Sequence, residues 1–315
     1  MKILVTGGLG HIGSKLIREY AKRDDIGLIR ILDNLSTQRY VSLFDLPINE
    51  KIKLEFIEGN INDNKVVKNA MKDIDIVIHL AAITDAISTI NNVQMTFKVN
   101  YGGTWNVLWA AINANVKKFL YASTTSVYGD AEEVVSEESP KEIYKPASPY
   151  AESKLEAEKL IQVVVKETGF PAIILRKGTI FGTSIGMRFH TAINKFCYLS
   201  AMNKPLTIWD SALNNKRPYL GLNDCINAYR FFEDNGKSGE VYNIVTKNFN
   251  MKEIIEIIKK YNPDVKIEIT KSPLLNQKSY HVSNEKIKAI GFEFKDDLEE
   301  HIRETFNIFK TIKNN

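Results

Sequence analysis

The chain has 315 residues, of which 44% are hydrophobic and 25% are charged. These proportions are typical of soluble globular proteins and argue against a disordered or fibrous chain. At roughly 150 residues per domain, the length corresponds to about two domains. The 42 Lys and Arg residues and the 38 Asp and Glu residues leave a formal charge of +4. A general nucleic-acid binder or a membrane-surface protein would show a denser basic cluster than this chain has.

Cysteine usage and the lengths of the apolar runs indicate the cellular compartment of the protein. Cys197 and Cys225 have neither CxxC spacing nor a neighbouring histidine, which argues against a disulfide framework and a zinc site. The apolar run that begins at Ile3 is interrupted at Gly7, so it is too short for a signal peptide. The longest apolar stretch, residues 74–83, is far below the roughly 20 residues of a membrane span. We therefore expect a cytoplasmic protein with no metal, no membrane segment and no nucleic-acid partner.

Short apolar runs alternate with helical patterns through the first 180 residues. The runs that predict strands are Ile3–Thr6, Leu28–Leu32, Leu54–Ile57, Ile76–Leu80, Lys118–Tyr121 and Ala172–Leu175. The segments that predict helices are Ile12–Lys22, Asn64–Met71, Asn92–Asn113 and Tyr150–Thr168. Nearly continuous apolar character is typical of strands that are covered on both faces. This order predicts an α/β fold with a doubly wound parallel sheet.

The regular alternation of predicted strands and helices ends after Gly182. Helices are predicted at Phe189–Met202, Asp224–Glu233 and Leu298–Lys313, and short strands at Leu206–Trp209, Tyr219–Gly221, Val241–Val245 and Lys266–Thr270. No linker separates the two parts. We expect a first domain over residues 1–182 and a smaller α/β lobe over residues 183–315 that does not fold independently. The cleft between them is the expected ligand site.

A glycine-rich turn follows the first predicted strand and precedes the first predicted helix. Gly7, Gly10 and Gly13 have the spacing that gives a tight turn, close approach of backbone to a pyrophosphate and close packing of helix on strand. The N-terminus of the following helix offers N–H groups and partial positive charge to phosphates. This context favours a Rossmann-type dinucleotide site over a flexible loop.

An acidic residue ends the second predicted strand. Asp33 lies twenty residues after Gly13, where a carboxylate accepts hydrogen bonds from an adenosine ribose and repels a 2′-phosphate. The segment 34–36 has no arginine for a 2′-phosphate, although Arg39 is not far away. This pattern favours NAD over NADP, and the alternative is a surface aspartate that caps the next turn.

A tyrosine and a lysine lie four residues apart on one predicted helix. Tyr150 and Lys154 would share a helix face, and a nearby ammonium favours the phenolate form of a tyrosine whose pKa is ordinarily near 10. Hydroxyl side chains fill the segment 122–129 after the fifth strand, at the sheet edge where ligands bind. A chance pair of surface residues and ordinary turn chemistry are the alternatives.

Taken together, these segments resemble the extended short-chain dehydrogenase/reductase family, in its NAD-dependent nucleotide-sugar epimerase and dehydratase branch. The matching segments are TGGLGHIG, LDNLS, GNIND, VIHLAA, VNYGGTWNVL, ASTTSVYG, SPYAESK, KRPYLGLNDC and GEVYNI. The resemblance implies a Rossmann-type fold, with Thr124 and Tyr150 as catalytic residues and Lys154 as the helper of the base. It also implies a nucleotide-diphosphate sugar as substrate.

The resemblance also assigns cofactor and substrate positions. Those implied for NAD are Gly7, Gly10, His11, Ile12, Gly13, Asp33, Asn34, Asn60, Ile61, Leu80, Ala81, Ala82, Asn100, Tyr150 and Lys154, although the family more often has Asp where Asn60 stands. Those implied for the substrate are Thr84, Thr124, Arg188, Asn194 and Arg217. Arg217 matches an arginine that grips the substrate diphosphate, for which a guanidinium is suited. For Arg188 and Asn194, helix-surface and capping roles stay open.

Two departures from the family pattern bear on the reaction. Members similar to 4,6-dehydratases carry Asp-Glu where this chain has Thr125 and Ser126, so no acid stands there to protonate a leaving hydroxyl. Residues 176–178 stand where many 4-epimerases have an asparagine near the sugar phosphates. The leading hypothesis is C4 epimerisation through a transient 4-keto sugar. The alternatives are a 4-ketosugar reductase that uses NAD(P)H and a dinucleotide-binding sensor or scaffold without catalysis.

Other aromatic residues and histidines have simpler interpretations. His79 ends an apolar strand and is interpreted as a core or turn residue, and a packing role is favoured for His11. Trp105 and Trp109 form a stripe typical of a core or a subunit interface. The resemblance implies a homodimer formed through the helices at 92–113 and 150–168.

Overall fold

The computed structural model describes residues 1–47, 49–129, 134–271 and 280–312. In chain order, its strands are β1 (Lys2–Thr6), β2 (Leu28–Asp33), β3 (Lys53–Glu58), β4 (Ile76–His79), β5 (Lys118–Thr124), β6 (Val134–Val135), β7 (Ala172–Lys177), β8 (Thr179–Phe181), β9 (Leu206–Trp209), β10 (Arg217–Gly221), β11 (Val241–Ile244), β12 (Lys247–Phe249), β13 (Ile267–Thr270) and β14 (His281–Val282). Its helices are α1 (His11–Tyr20), α2 (Asn64–Ala70), α3 (Ala86–Thr89), α4 (Val93–Phe97), α5 (Thr104–Asn113), α6 (Pro149–Thr168), α7 (Ala192–Ala201), α8 (Leu222–Asp234), α9 (Met251–Tyr261), α10 (Glu285–Ala289) and α11 (Leu298–Phe309).

A seven-stranded sheet forms the centre of the molecule. Its strand order is β11-β7-β5-β4-β1-β2-β3, and every neighbouring pair is parallel. The predicted doubly wound parallel fold is therefore confirmed. The order reverses between β1 and β4, and ligands of such sheets bind beyond the carboxyl ends of the strands at this point.

Alternating side chains of the strands supply two cores, one on each face of the sheet. Ile3 and Val5 of β1 pack with α1 and α8, whereas Leu4 between them packs with α2, α5 and α6. This follows from the two-residue period of a strand, because successive side chains point to opposite faces. Both faces are buried, which explains why the strands are apolar almost throughout.

The later part of the chain is divided between two places. Val241–Ile244, predicted as a short strand of the second lobe, instead pairs with β7 as an edge strand of the central sheet. A third core, built from α7, α9 and α11, fills the second lobe with residues such as Phe196 and Ile254. The division at residues 182 and 183 stays a prediction.

Three helices differ from expectation. The predicted helix over 92–113 is interrupted by a π-helical stretch at Lys98–Gly103. Helix α9 was not predicted, although Asn250 and Glu253 form a reciprocal capping box at its start. The final helix ends at Phe309, and the predicted end at residue 313 lies outside the described residues. None of the described helices combines the length and apolar character that crossing a membrane requires.

A buried ion pair fixes α6 against the sheet. Arg176 of β7 donates to both carboxylate oxygens of Glu158 on α6, with the shortest contact at 2.6 Å, and Ser123 of β5 donates to the same carboxylate. The guanidinium also lies 4.8 Å from the ring centroids of Tyr128 and Tyr144. The pair therefore joins two strands to the helix that carries Tyr150.

Removing the cation should leave the carboxylate of Glu158 buried without its counter-charge. We expect Arg176→Met to lower the free energy of unfolding by about 3–5 kcal/mol, measured by urea denaturation. Lys159→Met removes an exposed pair with Glu156 on the same helix and should change stability by less than about 0.5 kcal/mol. Equal losses in the two variants would show that the buried pair does not hold α6.

Candidate active site

The carboxyl ends of the central strands bring the predicted residues to one edge of the sheet. Parallel register places Thr6 beside His79, and Thr124 beside Lys177. Asp33 is the last residue of β2. The site therefore lies where the strand order reverses, as open α/β sheets require of a ligand crevice.

The glycine turn is built for close approach. Gly7 has a φ of 65°, and a Cβ there would lie 2.7 Å from the Cα of Ala81. A Cβ at Gly13 would lie 2.5 Å from the carbonyl oxygen of Gly8. Gly10 precedes α1, and no side chain caps that helix. The start of α1 is thus left open to a phosphate, so the residues present fit a dinucleotide.

Asp33 faces the glycine turn. Its carboxylate accepts hydrogen bonds from the backbone N–H groups of Leu9 at 3.1 Å and Leu35 at 3.0 Å. A carboxylate has about four acceptor positions, so further acceptor capacity remains for a ribose. Arg39, which the sequence left at an uncertain distance, lies beside the turn with Nη1 3.9 Å from the position of a Cβ on Gly10. It adds positive charge next to the open helix end.

The remaining positions implied for NAD, apart from Ile12 of α1, lie in the loops that follow β2, β3 and β4. Two of them make short turns of their own, since Asn34 accepts from Ser36 N–H and Asn60 accepts from Asn62 N–H. The others described along the same edge are Ile12, Ile61, Leu80, Ala81 and Ala82. All of these loops leave the sheet on the crevice side, which is where the sequence placed them.

Two buried polar side chains support the loop after β4. His79 lies between the hydroxyls of Thr6 at 2.6 Å and Thr104 at 2.9 Å, and burial lowers its pKa to about 3, so the ring is neutral. Asn100 accepts from Ile83 N–H at 2.8 Å and donates to Ile83 O and to Ser153 of α6. These contacts join the crevice wall to the helix that carries Tyr150.

Thr124 and Tyr150 meet at the centre of the site. Burial raises the pKa of the Tyr150 phenol, whereas a hydrogen bond with the Thr124 hydroxyl and the charge of Arg188 act to lower it. Thr124 also accepts from Ser126 N–H at 3.1 Å, so its position is fixed by the turn that follows β5. The two predicted catalytic hydroxyls therefore lie within hydrogen-bonding reach of each other.

Lys154 lies on the same helix but is engaged elsewhere. Its ammonium donates to Ala122 O at 2.8 Å and lies 4.7 Å from the ring centroid of Tyr121. Burial and the charge of Lys177 lower the pKa of Lys154 to about 7. The charge of Arg188 acts to lower the pKa of the Tyr150 phenol, and the role of Lys154 as the helper of Tyr150 stays a prediction.

The second lobe brings three predicted residues to different places. Arg188 donates to the Thr84 hydroxyl across the crevice. Asn194 is fully buried and bonds to the backbone at Gly182 N–H, Gly182 O and Arg188 O, so it shapes the loop that presents Arg188. Arg217 lies 5.1 Å from the ring centroid of Tyr280.

Tyr280 connects Arg217 to the turn that follows β5. Tyr280 shares a hydrogen bond with Thr125, one residue after Thr124.

Arg176, which stands in the segment that departs from the family pattern, points into the other face of the sheet toward Glu158. Its neighbour Lys177 is the residue of this segment that lies at the crevice.

Sequence reasoning missed a clasp between the two parts of the chain. His11 bonds through Nε2 to Gly182 O at 2.9 Å, and Ser184 donates to His11 O at 2.9 Å. Gly186 N–H donates to the Ser14 hydroxyl at 3.0 Å. No local signal could have found these contacts, because the partners are more than 170 residues apart in sequence.

Comparison with known proteins agrees with this geometry. The family model described as "NAD dependent epimerase/dehydratase family" matches residues 3–245. The chain belongs to this family. The expectations of an extended short-chain dehydrogenase/reductase and of NAD as its cofactor are thereby confirmed.

Individual relatives carry different activities. The chain is similar to dTDP-D-glucose 4,6-dehydratase of Homo sapiens, with 34% identity over 98% of this chain and 90% of the human protein. The enzyme of Mus musculus is also 34% identical, over 98% of this chain and 88% of that protein. The crystal structure of UDP-glucuronic acid 4-epimerase from Bacillus cereus with NAD matches at a TM-score of 0.85 and 27% identity, over 99% of both chains. These relatives include dehydratases and epimerases, so they establish the family and leave the reaction to be argued from the site.

The clasp offers a test of the glycine-turn site. A Cβ at Gly186 would lie 2.6 Å from Leu9 O and 2.8 Å from Gly10 O, so Gly186→Ala should displace the turn. We expect NAD affinity to fall about tenfold or more, measured by calorimetry. Gly27→Ala is the control, because its Cβ would meet only Met1 O at 4.0 Å. Unchanged affinity in Gly186→Ala would separate the clasp from cofactor binding.

Proposed function

We propose that this chain is an NAD-dependent nucleotide-sugar epimerase that inverts C4 through a transient 4-keto sugar. The observation that carries the proposal is the meeting of Tyr150 and Thr124 at the crevice edge, with Lys154 one helical turn away. A pure dinucleotide binder has no need of this set. The nucleotide-sugar chemistry is common to the whole family, and the C4 reaction is what remains to be tested.

Three features of the site would hold the cofactor. The start of α1 would hold the pyrophosphate, Asp33 would accept from the adenosine ribose, and Lys154 would hold the nicotinamide ribose. When bound, NAD would supply reversible hydride transfer with C4 of the sugar. The protein supplies orientation, electrostatics and proton transfer.

The proton is handled by Tyr150. Its phenolate accepts the proton of the sugar 4-hydroxyl, and the Thr124 hydroxyl holds the same oxygen. The charge of Arg188 favours the phenolate, although burial works against it. For inversion, the 4-keto sugar turns over in the pocket and Tyr150 returns the proton to the new hydroxyl. Arg217 is proposed to hold the diphosphate of the substrate.

A second candidate is 4,6-dehydration, which the names of the 34% identical relatives favour. Elimination of water needs an acid for the leaving hydroxyl and a base for the C5 proton. The two relevant positions hold Thr125 and Ser126, whose hydroxyls are much weaker acids than a carboxylic acid and, when neutral, much weaker bases than a carboxylate. This is why epimerisation is preferred.

The experiment is incubation of the NAD-loaded protein with UDP-, GDP-, CDP- and dTDP-sugars, with the products resolved by NMR. A C4 epimer without net consumption of cofactor supports the proposal. A 4-keto-6-deoxy product identifies a dehydratase, and stoichiometric oxidation of added NAD(P)H identifies a reductase. Retained NAD binding with no product from any sugar identifies a binding protein.

Tyr150→Phe removes the proton acceptor and keeps the ring. We expect turnover to fall at least about 100-fold, because general base catalysis at this oxygen is lost. NAD affinity, measured by calorimetry, should be retained. Tyr261→Phe, in the second lobe beside Phe306, serves as the control with unchanged turnover. Full activity in Tyr150→Phe would exclude the proposed mechanism.

We also propose that the partner of the exposed face on α5 is a second copy of this chain. Trp105 and Trp109 stack at 5.8 Å between ring centroids and are 42% and 49% exposed. Met95 of α4 and Val163 of α6 are exposed nearby on the helices of the same side of the sheet. Large exposed apolar patches are typical of protein interfaces.

Charge placed on this patch should prevent the association. The double variant Trp105→Glu, Trp109→Glu is expected to be a monomer by light scattering, where the unaltered chain is a dimer. Ile308→Glu introduces the same charge at an exposed apolar residue of α11 and should leave the dimer intact. A monomeric unaltered chain would contradict the proposal.

A further inference from the structure

A second lysine reaches the catalytic crevice. Lys177 ends β7 directly beside Thr124 of β5. Leu175, two residues earlier, faces the core of α1 and α8, so the side chain of Lys177 leaves the sheet on that face. Its ammonium lies 5.8 Å from the ring centroid of Tyr229 on α8. The residue as a whole is partly exposed, at the carboxyl end of β7 where that strand borders the crevice.

Among the described residues, the ammonium of Lys177 makes no hydrogen bond and no ion pair. The groups around it are the Cys225 thiol and the Tyr229 phenol of α8, Lys154 of α6 and Arg188 of the second lobe. Burial raises the pKa of the Cys225 thiol to about 12, so this neighbour is neutral and is no counter-ion.

The phenol of Tyr229, near Lys177, also lacks a hydrogen-bond partner among the described residues. Tyr229 is fully buried, and its hydroxyl has no hydrogen-bond partner among the described residues. Buried tyrosine hydroxyls usually find one. The ammonium thus lies near the ring of Tyr229, and among the described residues neither it nor the Tyr229 hydroxyl has a hydrogen-bond partner.

Positive charge exceeds negative charge around Tyr150. Lys154, Lys177 and Arg188 are the cations; the charge of Lys177 lowers the pKa of Lys154, and the charge of Arg188 lowers the pKa of Lys177. Of the nearby carboxylates, Glu158 is paired with Arg176 on the opposite face of the sheet. The charge of Asp85 acts on Arg188. Clustering buried cations is unfavourable unless an anion joins them.

We propose that Lys177 forms a subsite for a carboxylate on the sugar, so that the substrate is a nucleoside-diphosphate sugar acid. The inference rests on the proposed function and names its substrate class. An ammonium paired with a carboxylate makes a charge-assisted hydrogen bond. A neutral sugar in the same place leaves the ammonium desolvated and unpaired, which gives the site its means of discrimination. The hydroxyls of Thr125 and Ser126, in place of acids, add no negative charge that would repel the carboxylate.

The test compares two sugars that differ only at C6, UDP-glucuronic acid and UDP-glucose, on the NAD-loaded protein. Binding is measured by calorimetry and, where turnover occurs, by kcat/KM. The unaltered chain should prefer the acid by about tenfold or more, and Lys177→Met should reduce this ratio by about 10- to 100-fold. Lys177→Arg keeps the charge and should restore part of the ratio. Lys195→Met, at an exposed position of α7, should leave it unchanged.

The preference should also depend on pH. Burial lowers the pKa of Lys177 to about 8. The ammonium is present below that value and lost above it, and a bound carboxylate raises the pKa again. Preference for the acid should therefore be complete near neutral pH and decline above about pH 8 in the unaltered chain, with no such decline in Lys177→Met.

Several results would overturn the inference. They are equal affinity for the two sugars, binding of neither, an unchanged ratio in Lys177→Met, or a loss confined to NAD affinity, which would assign the ammonium to the cofactor instead. Turnover of neutral sugars without a preference for the acid would reject the subsite and leave the epimerase proposal standing. Selective binding of the acid without epimerisation would reject the epimerase proposal and leave the subsite standing.

Discussion

The site depends on placing several cations at a largely buried sheet edge without unfolding it. Each ammonium or guanidinium loses hydration there, and the structure returns part of that loss through specific contacts. Lys154 donates to Ala122 O and lies over Tyr121, and Arg188 donates to Thr84. What remains uncompensated is positive charge near the crevice, where the proposed nucleotide-sugar substrate would bring negative charge.

Two long-range connections hold this arrangement. The Glu158–Arg176 pair fixes α6 to β7, and with it the positions of Tyr150 and Lys154 relative to Thr124. The contacts between His11 and Gly182 and between Ser14 and Gly186 hold the second lobe against the glycine turn. Arg188 follows this loop directly, so the lobe that would bind the substrate also places a cation near the base. These contacts therefore connect the proposed cofactor site, the proposed base and the second lobe.

The sequence was informative wherever the chemistry is local. Gly7, Gly10 and Gly13 belong to one turn, and the order of strands and helices is enough to bring Tyr150 of α6 to the end of β5. The edge assigned to Asp33, Thr124 and the loops after β3 and β4 follows from the same parallel order.

What could not be predicted comes from tertiary contacts. The contact of Lys154 with Ala122 O and the closeness of Arg188 to Tyr150 both depend on tertiary packing. Strand β11 likewise joins the central sheet across more than sixty residues from its partner strand β7. Arg176 and Lys177 are neighbours in sequence, yet the strand period sends one to Glu158 and the other to the crevice. Helix α9 is different, because its capping box was present in the sequence and was overlooked.

The central claim is that the sugar is oxidised and reduced again at C4 within one turnover, with Tyr150 moving the proton. Rapid mixing of the NAD-loaded protein with a nucleotide sugar that it epimerises, followed in the absorbance band of reduced nicotinamide, tests this most directly. We expect a transient rise that decays as the epimer forms, with no net reduction at the end and no transient in Tyr150→Phe. Formation of the epimer without any transient reduction, in a sample where reduction would be resolved, would contradict it.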